Sequence, residues 1–165
     1  MEVGKFLGKY TARGSIIGDT DGSPGLTKIH LFDGRFDTGW RVTRFEIRPQ
    51  NVADDATSIL HWAAKLTTVS FGGGVTRYDN WNFEDIREIA WAACSWDSNQ
   101  ASGLTTPFSL VDPDNLVIQD LYVAVNEYND TNPVGYFIEM EKYEISEAMG
   151  ALAMVRNDAQ GPEAA

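Results

Sequence analysis

Apolar and polar residues alternate along most of this chain, and helical spacing appears in one place only. In residues 27–32, Ile29 and Leu31 fall on one face. Residues 40–48 are rich in Trp, Val, Thr, Phe and Ile and stop at Pro49, as a strand does. Their inward parity slips between Val42 and Phe45, which predicts a β-bulge near Thr43-Arg44. Over 59–69, Leu60, Trp62, Ala64 and Leu66 share a face, with His61 and Lys65 on the other. Residues 89–96 are almost continuously apolar, which predicts a central strand covered on both sides. Residues 116–128 and 135–145 are the two longest strand signals. In the second, Tyr136, Ile138 and Met140 share one face and Glu139 and Glu141 the other.

Breaker-rich stretches separate these segments: 49–57, 70–83, 97–107, Asp112-Pro113-Asp114-Asn115 and 129–133. Roughly six to eight strands divided by turns, with no helix between them, predict an all-β fold, an antiparallel β-sandwich or jelly roll. After the last strand, Ser146 is placed to cap a short C-terminal helix over 146–159, where Met149, Leu152, Val155 and Ala159 recur at helical spacing. Gly150 opposes that helix by about 1 kcal/mol. Glu84 to Glu88 has the length of one helical turn. The first 26 residues carry glycine at positions 4, 8, 14, 18, 22 and 25 and read as an extended arm or edge strand. The expected layout is an N-terminal arm or edge segment over 1–26, one domain over 27–159 and a tail over 160–165. No internal repeat and no low-complexity block interrupts it.

Composition then removes several function classes. The 165 residues are 43% hydrophobic and 12% aromatic, enough for the core of one domain, so intrinsic disorder is excluded. Thirteen Lys and Arg face 24 Asp and Glu, and the net charge of −11 has the wrong sign for a general grip on nucleic acid or anionic lipid. No apolar run approaches the ~20 residues of a membrane span. The opening Met1-Glu2-Val3-Gly4-Lys5 lacks the layout of a signal peptide. The single cysteine, Cys94, leaves no internal disulfide and no Cys-based zinc site. A soluble acidic domain made in a reducing compartment is expected.

Each candidate for chemistry has a plainer explanation beside it. Asp19-Thr20-Asp21-Gly22-Ser23 opens like a calcium loop, but the closing glutamate position holds His30, so it reads as an acidic turn. Glu139 and Glu141 stand about 7 Å apart on one strand face. That is near the spacing of a glycosidase pair, and it is also how a solvated sheet face is built. His30 and His61 fall on different strands, and no serine has nucleophile-elbow flanks. Cys94 lies in apolar Ala92-Ala93-Cys94-Ser95 and reads as a buried small hydrophobe. Phe71-Gly72-Gly73-Gly74-Val75-Thr76 lacks the Lys and following helix of a phosphate loop and reads as a hairpin or interface loop. Asn129-Asp130-Thr131 matches a glycosylation acceptor without a secretory signal. Of the five tryptophans, Trp62 and Trp91 fall where core burial explains them. Trp40, Trp81 and Trp96 lie near loops and suit a protein partner, or a sugar as in carbohydrate-binding modules.

Several stretches carry a further likeness: Phe36-Asp37-Thr38-Gly39-Trp40-Arg41-Val42, Lys65-Leu66-Thr67-Thr68, Trp81-Asn82-Phe83 and Ile89-Ala90-Trp91-Ala92. To these belong Leu110-Val111-Asp112-Pro113-Asp114-Asn115-Leu116-Val117, Gln119-Asp120-Leu121-Tyr122, and the run from Gly135 through Tyr143 to Ala151-Leu152. Over roughly residues 30–157 the chain resembles small virion structural proteins of marine tailed bacteriophages. The resemblance implies a β-rich protein that decorates, cements or completes a capsid. It places the chain on the capsid surface of a virion, made in the host cytoplasm.

Its implied partners are the major capsid protein and copies of itself, in a trimer or other cyclic oligomer. The expected contact residues are Lys9, Tyr10, Arg13 and Ile16 of the arm and the loop aromatics Trp40, Phe71, Trp81 and Phe83. No catalytic residue, cofactor, metal, nucleic acid or membrane is expected. The alternatives are a carbohydrate-binding module of a phage tail, a jelly-roll main capsid or vertex subunit, and a β-sandwich glycoside hydrolase or lyase using Glu139 and Glu141.

Overall fold

Alternating strands with one apolar face each must cover that face, and here they do so as two sheets sharing a core. The computed structural model describes residues 4–17, 25–50, 60–70, 81–96, 107–128 and 132–158. The strands are β1 (Lys5–Ile17), β2 (Gly25–Ile29), β3 (Thr38–Pro49), β4 (Leu60–Thr67), β5 (Glu88–Trp96), β6 (Phe108–Val111), β7 (Leu121–Tyr128) and β8 (Pro133–Glu144), followed by helix α1 (Glu147–Asp158). One sheet has the order β1-β8-β3 and the other β2-β7-β4-β5-β6. Every pairing is antiparallel. Val42, Phe45, Ile47, Ile138 and Met140 from the first sheet meet Trp62, Ala64, Leu66, Ala92, Val123 and Val125 from the second in one buried cluster. The β-rich, two-sheet expectation and the C-terminal helix are therefore observed.

The bulge falls where the parity slip predicts it, between Val42 and Arg44. There the Asn115 side chain acts as a missing strand. Its Oδ1 accepts from the Val42 amide at 2.8 Å and its Nδ2 donates to the Val42 carbonyl at 2.9 Å. The neighbouring Val117 bridges Trp40 through two backbone bonds of 2.7 and 2.8 Å. This corrects the expectation of one strand over 116–128. Residues 116–118 are drawn to the edge of β3, and Asp120 accepts the Leu31 and Phe32 amides at 2.8 and 3.1 Å before β7 begins.

Residues 5–17 of the N-terminal segment form the outermost strand of the three-stranded sheet, the edge-strand form of the expectation. β1 pairs with β8 along its length, with a register shift at Leu7, and Ile16 enters the core. The Ser146 hydroxyl accepts the Met149 amide at 3.2 Å, capping α1. Gly150 is required there by close approach, since a Cβ would stand 2.1 Å from the Phe36 carbonyl oxygen. Glu84 to Glu88 is not a helical turn. Asp85 N–H donates to Asn82 and Glu88 N–H to Asp85, at 3.1 and 2.9 Å, giving two successive turns.

Candidate interaction surface

The turn before β5 is held from below by buried charge. Lys65, on the outward side of β4, is buried and pairs with buried Glu88 at the start of β5. Glu88 also accepts from the Trp91 indole N–H and from the Asn82 amide, each at 2.9 Å. Asp85 takes a two-pronged grip from Arg87, at 2.9 and 2.7 Å, and the Arg87 amide at 3.0 Å. Burial pushes the Asp85 carboxyl up, but the Arg87 bonds outweigh it and hold the group below its ordinary value. A carboxylate beneath a turn, with each oxygen occupied, fixes the backbone above it.

What this network carries is aromatic. Trp81 stacks on Phe108 of β6 with centroids 5.3 Å apart and meets Phe83 edge-on at 6.2 Å. Phe83 also leans on Trp91 at 4.7 Å. Phe83 remains 59% exposed, and Phe108, Leu110 and Ile86 are nearly half exposed around it. Two of the residues anticipated from sequence, Trp81 and Phe83, are thus brought together. Phe108 and Leu110 were missed. β6 has four residues, too few for a clear alternation, and the useful signal was Lys65, a charged residue inside an apolar run, with Glu88 at the start of the next.

The remaining anticipated residues divide by strand parity. Lys9 and Arg13 lie on the outer face of the three-stranded sheet, opposite Glu141 and Phe137. Tyr10 and Ile16 lie on its inner side, opposite Met140 and Val134. Ile16 is buried in the core, and so is Trp40, so neither side chain is offered to solvent. The Trp40 indole donates to the Leu31 carbonyl at 3.1 Å, with the Tyr10 ring at 4.9 Å and the Lys142 ammonium at 5.0 Å from its ring. Tyr10 itself is half exposed. Phe71 and its glycine run, the acidic turn over 19–23 and Asn129-Asp130-Thr131 lie outside the described residues.

The carboxylate pair stands in a charged lattice. Glu139 meets Arg44 at 3.5 Å, and Glu141 meets Lys9 at 3.8 Å. The Tyr143 hydroxyl donates to Glu141 at 2.6 Å, and that bond raises its pKa. Cys94 is buried, and burial pushes its thiol up to about 12, which suits a core side chain and not a nucleophile. Trp62 and Trp91 are buried, while Trp96 is partly so. Among the described residues no group of His, Cys, Asp and Glu is placed to hold a metal ion, and no helix is long and apolar enough to cross a membrane. No protein-family model matches the chain, and no curated protein matches it.

Proposed function

We propose that this chain is a non-enzymatic structural protein of a tailed-phage virion, a capsid decoration or cement protein that binds major coat subunits. The observation that carries the binding reading is the platform of Trp81, Phe83 and Phe108, apolar, half exposed and anchored to buried Glu88. A rigid aromatic surface loses little conformational freedom on docking and gains from leaving water. The virion setting is supported by the resemblance over roughly residues 30–157. The charge of −11 suits an outer particle surface better than a DNA-facing one. Among the described residues β1 and β6 each pair with a strand on one side only, and a neighbouring copy or coat subunit can add a strand at such an edge.

The finer form of the fold we propose is a jelly roll. β1 pairs with β8, β2 with β7 and β4 with β5, the nesting of one long hairpin rolled on itself. The remaining members, β3 and β6, touch where the Ser109 hydroxyl donates to the Phe45 carbonyl. β6 departs from the ideal by pairing with β5.

The test is particle binding. Trp81→Ala/Phe83→Ala should lose affinity for purified capsids while keeping its fold by circular dichroism. Unchanged binding would remove both residues from the interface. Quantitative mass spectrometry of source virions should find hundreds of copies, and absence from particles would overturn the structural reading.

A further inference from the structure

The outer face of the three-stranded sheet is interrupted at Gly135, near the start of β8. Its neighbours across the sheet are Ser15 on β1 and Arg48 on β3, and two residues along lie Arg13, Phe137 and Glu46. Among the described residues, a Cβ on Gly135 would meet only the Arg48 and Gly14 carbonyl oxygens, at 3.6 and 3.8 Å, leaving space above the strand. The result is a solvent-facing cleft of about 500 Å³, walled by Arg13, Glu46, Arg48, Gln50 and Phe137. That volume lies within the range of small-ligand sites.

We propose that this cleft binds one unit of a carboxylated sugar, a uronic or sialic acid residue. In a chain of net charge −11, the cleft sets two guanidinium groups on either side of a bare strand. Arg13 is exposed and, among the described residues, has no ion-pair partner. Arg48 donates to its neighbour's carbonyl at 2.9 Å and to Glu46 at 3.2 Å. Neighbouring strands lie about 4.8 Å apart, so the two arginine Cα atoms stand roughly 12 Å from each other, and both residues line the cleft.

Glu46 and Phe137 together decide between ligand classes. Glu46 is fixed by Arg44 at 3.1 Å and by Arg48, and it presents acceptor oxygens to the cleft. Inorganic phosphate keeps a P–OH at neutral pH that can meet that carboxylate, but it brings no apolar face to Phe137. A neutral sugar leaves Arg13 unanswered. An acidic sugar satisfies both: its carboxylate accepts from Arg13 and Arg48, and a ring hydroxyl donates to Glu46. Its apolar C–H edge lies against Phe137, and glycine at 135 lets the ring approach the backbone. This site is separate from the aromatic platform and stands whether or not the capsid reading does.

The experiment is calorimetric titration of the full chain with methyl galacturonoside and with the methyl glycoside of N-acetylneuraminic acid, beside methyl galactoside and inorganic phosphate. At least one acidic sugar should saturate a single site, and which one does so names the source. The neutral sugar and phosphate should bind about tenfold more weakly or worse, and Arg13→Ala should weaken the acidic sugar by at least about tenfold. Gly135→Val fills open space at a strand position, so it should keep the wild-type thermal melt and abolish binding. No saturable binding of either acidic sugar, phosphate binding as tight as theirs, or full affinity in Arg13→Ala overturns the proposal.

Discussion

The outer faces of the two sheets treat charge in opposite ways. On the three-stranded sheet the ions stand in water: the Lys9 and Glu141 side chains are 78% and 21% exposed, and Arg44 bridges Glu46 at 3.1 Å and Glu139 at 3.5 Å. On the five-stranded sheet the Lys65 and Glu88 side chains are 8% and 2% exposed, sealed beneath the turn that carries Trp81 and Phe83. Solvent screens the first set, so each pair contributes about 0–1 kcal/mol and exchanges partners readily. The second set cannot lose one member without stranding the other in a dry interior. The exposed lattice is therefore free to accept a charged ligand, and the buried pair serves to hold a surface still.

Glu88→Gln breaks that contrast most severely. It keeps the shape but removes the carboxylate charge that bonds the buried Lys65 ammonium, and urea unfolding should show a loss of about 3–5 kcal/mol. A loss under about 1 kcal/mol would mean the buried pair behaves like the exposed ones. Replacing both ions with apolar residues, Lys65→Met/Glu88→Leu, should recover most of the loss. A neutral group gives the next largest effect. Asn115→Ala bares the buried amide and carbonyl of Val42, at about 1–3 kcal/mol for each group left without a partner.

These two sites also mark how far the sequence could be read. Parity placed β3, β4 and β8 and located the bulge, because a half-buried strand writes its faces every second residue, and an unbroken apolar run placed β5. It could not show that Asn115, in an Asp-Pro-Asp-Asn turn, would return across the chain to complete that bulge. The strand expected over 116–128 failed for the same reason, since long-range bonds to Trp40 and from Asp120 divide it. Of the interaction surface, Trp81 and Phe83 were legible as loop aromatics. Phe108 was not, because only the β5–β6 pairing brings it beside Trp81. The burial of Trp40 and Ile16 was not legible, because nearness to a loop or terminus does not reveal which strand face a side chain takes.

Acid sharpens the comparison at smaller cost. Burial raises the Asp85 pKa, but the bonds from Arg87 lower it more, so its folded value lies below 3.8. The folded state then binds fewer protons than the unfolded one. This stability is fully present above about the ordinary carboxylate value and is lost as pH falls through the lower folded value. Asp33, lowered chiefly by its bond from Lys142, acts in the same direction. The thermal midpoint should drop below pH 4, and Asp85→Asn should flatten that drop more than Asp37→Asn, whose partner Arg35 is exposed.

The smallest effect should come from Glu139→Gln. The Glu139 side chain is 42% exposed and its Arg44 partner 47%, and Arg44 retains Glu46 when Glu139 is neutralised. The change should stay within about 1 kcal/mol. Raising the salt to about 1 M shortens the screening length to about 3 Å, so the difference from wild type should then vanish. A salt-resistant loss of several kcal/mol would show that this face holds its charges as the buried pair does. The arginines around Gly135 would then be committed to structure, and a ligand's carboxylate would have to displace an internal partner before it could bind.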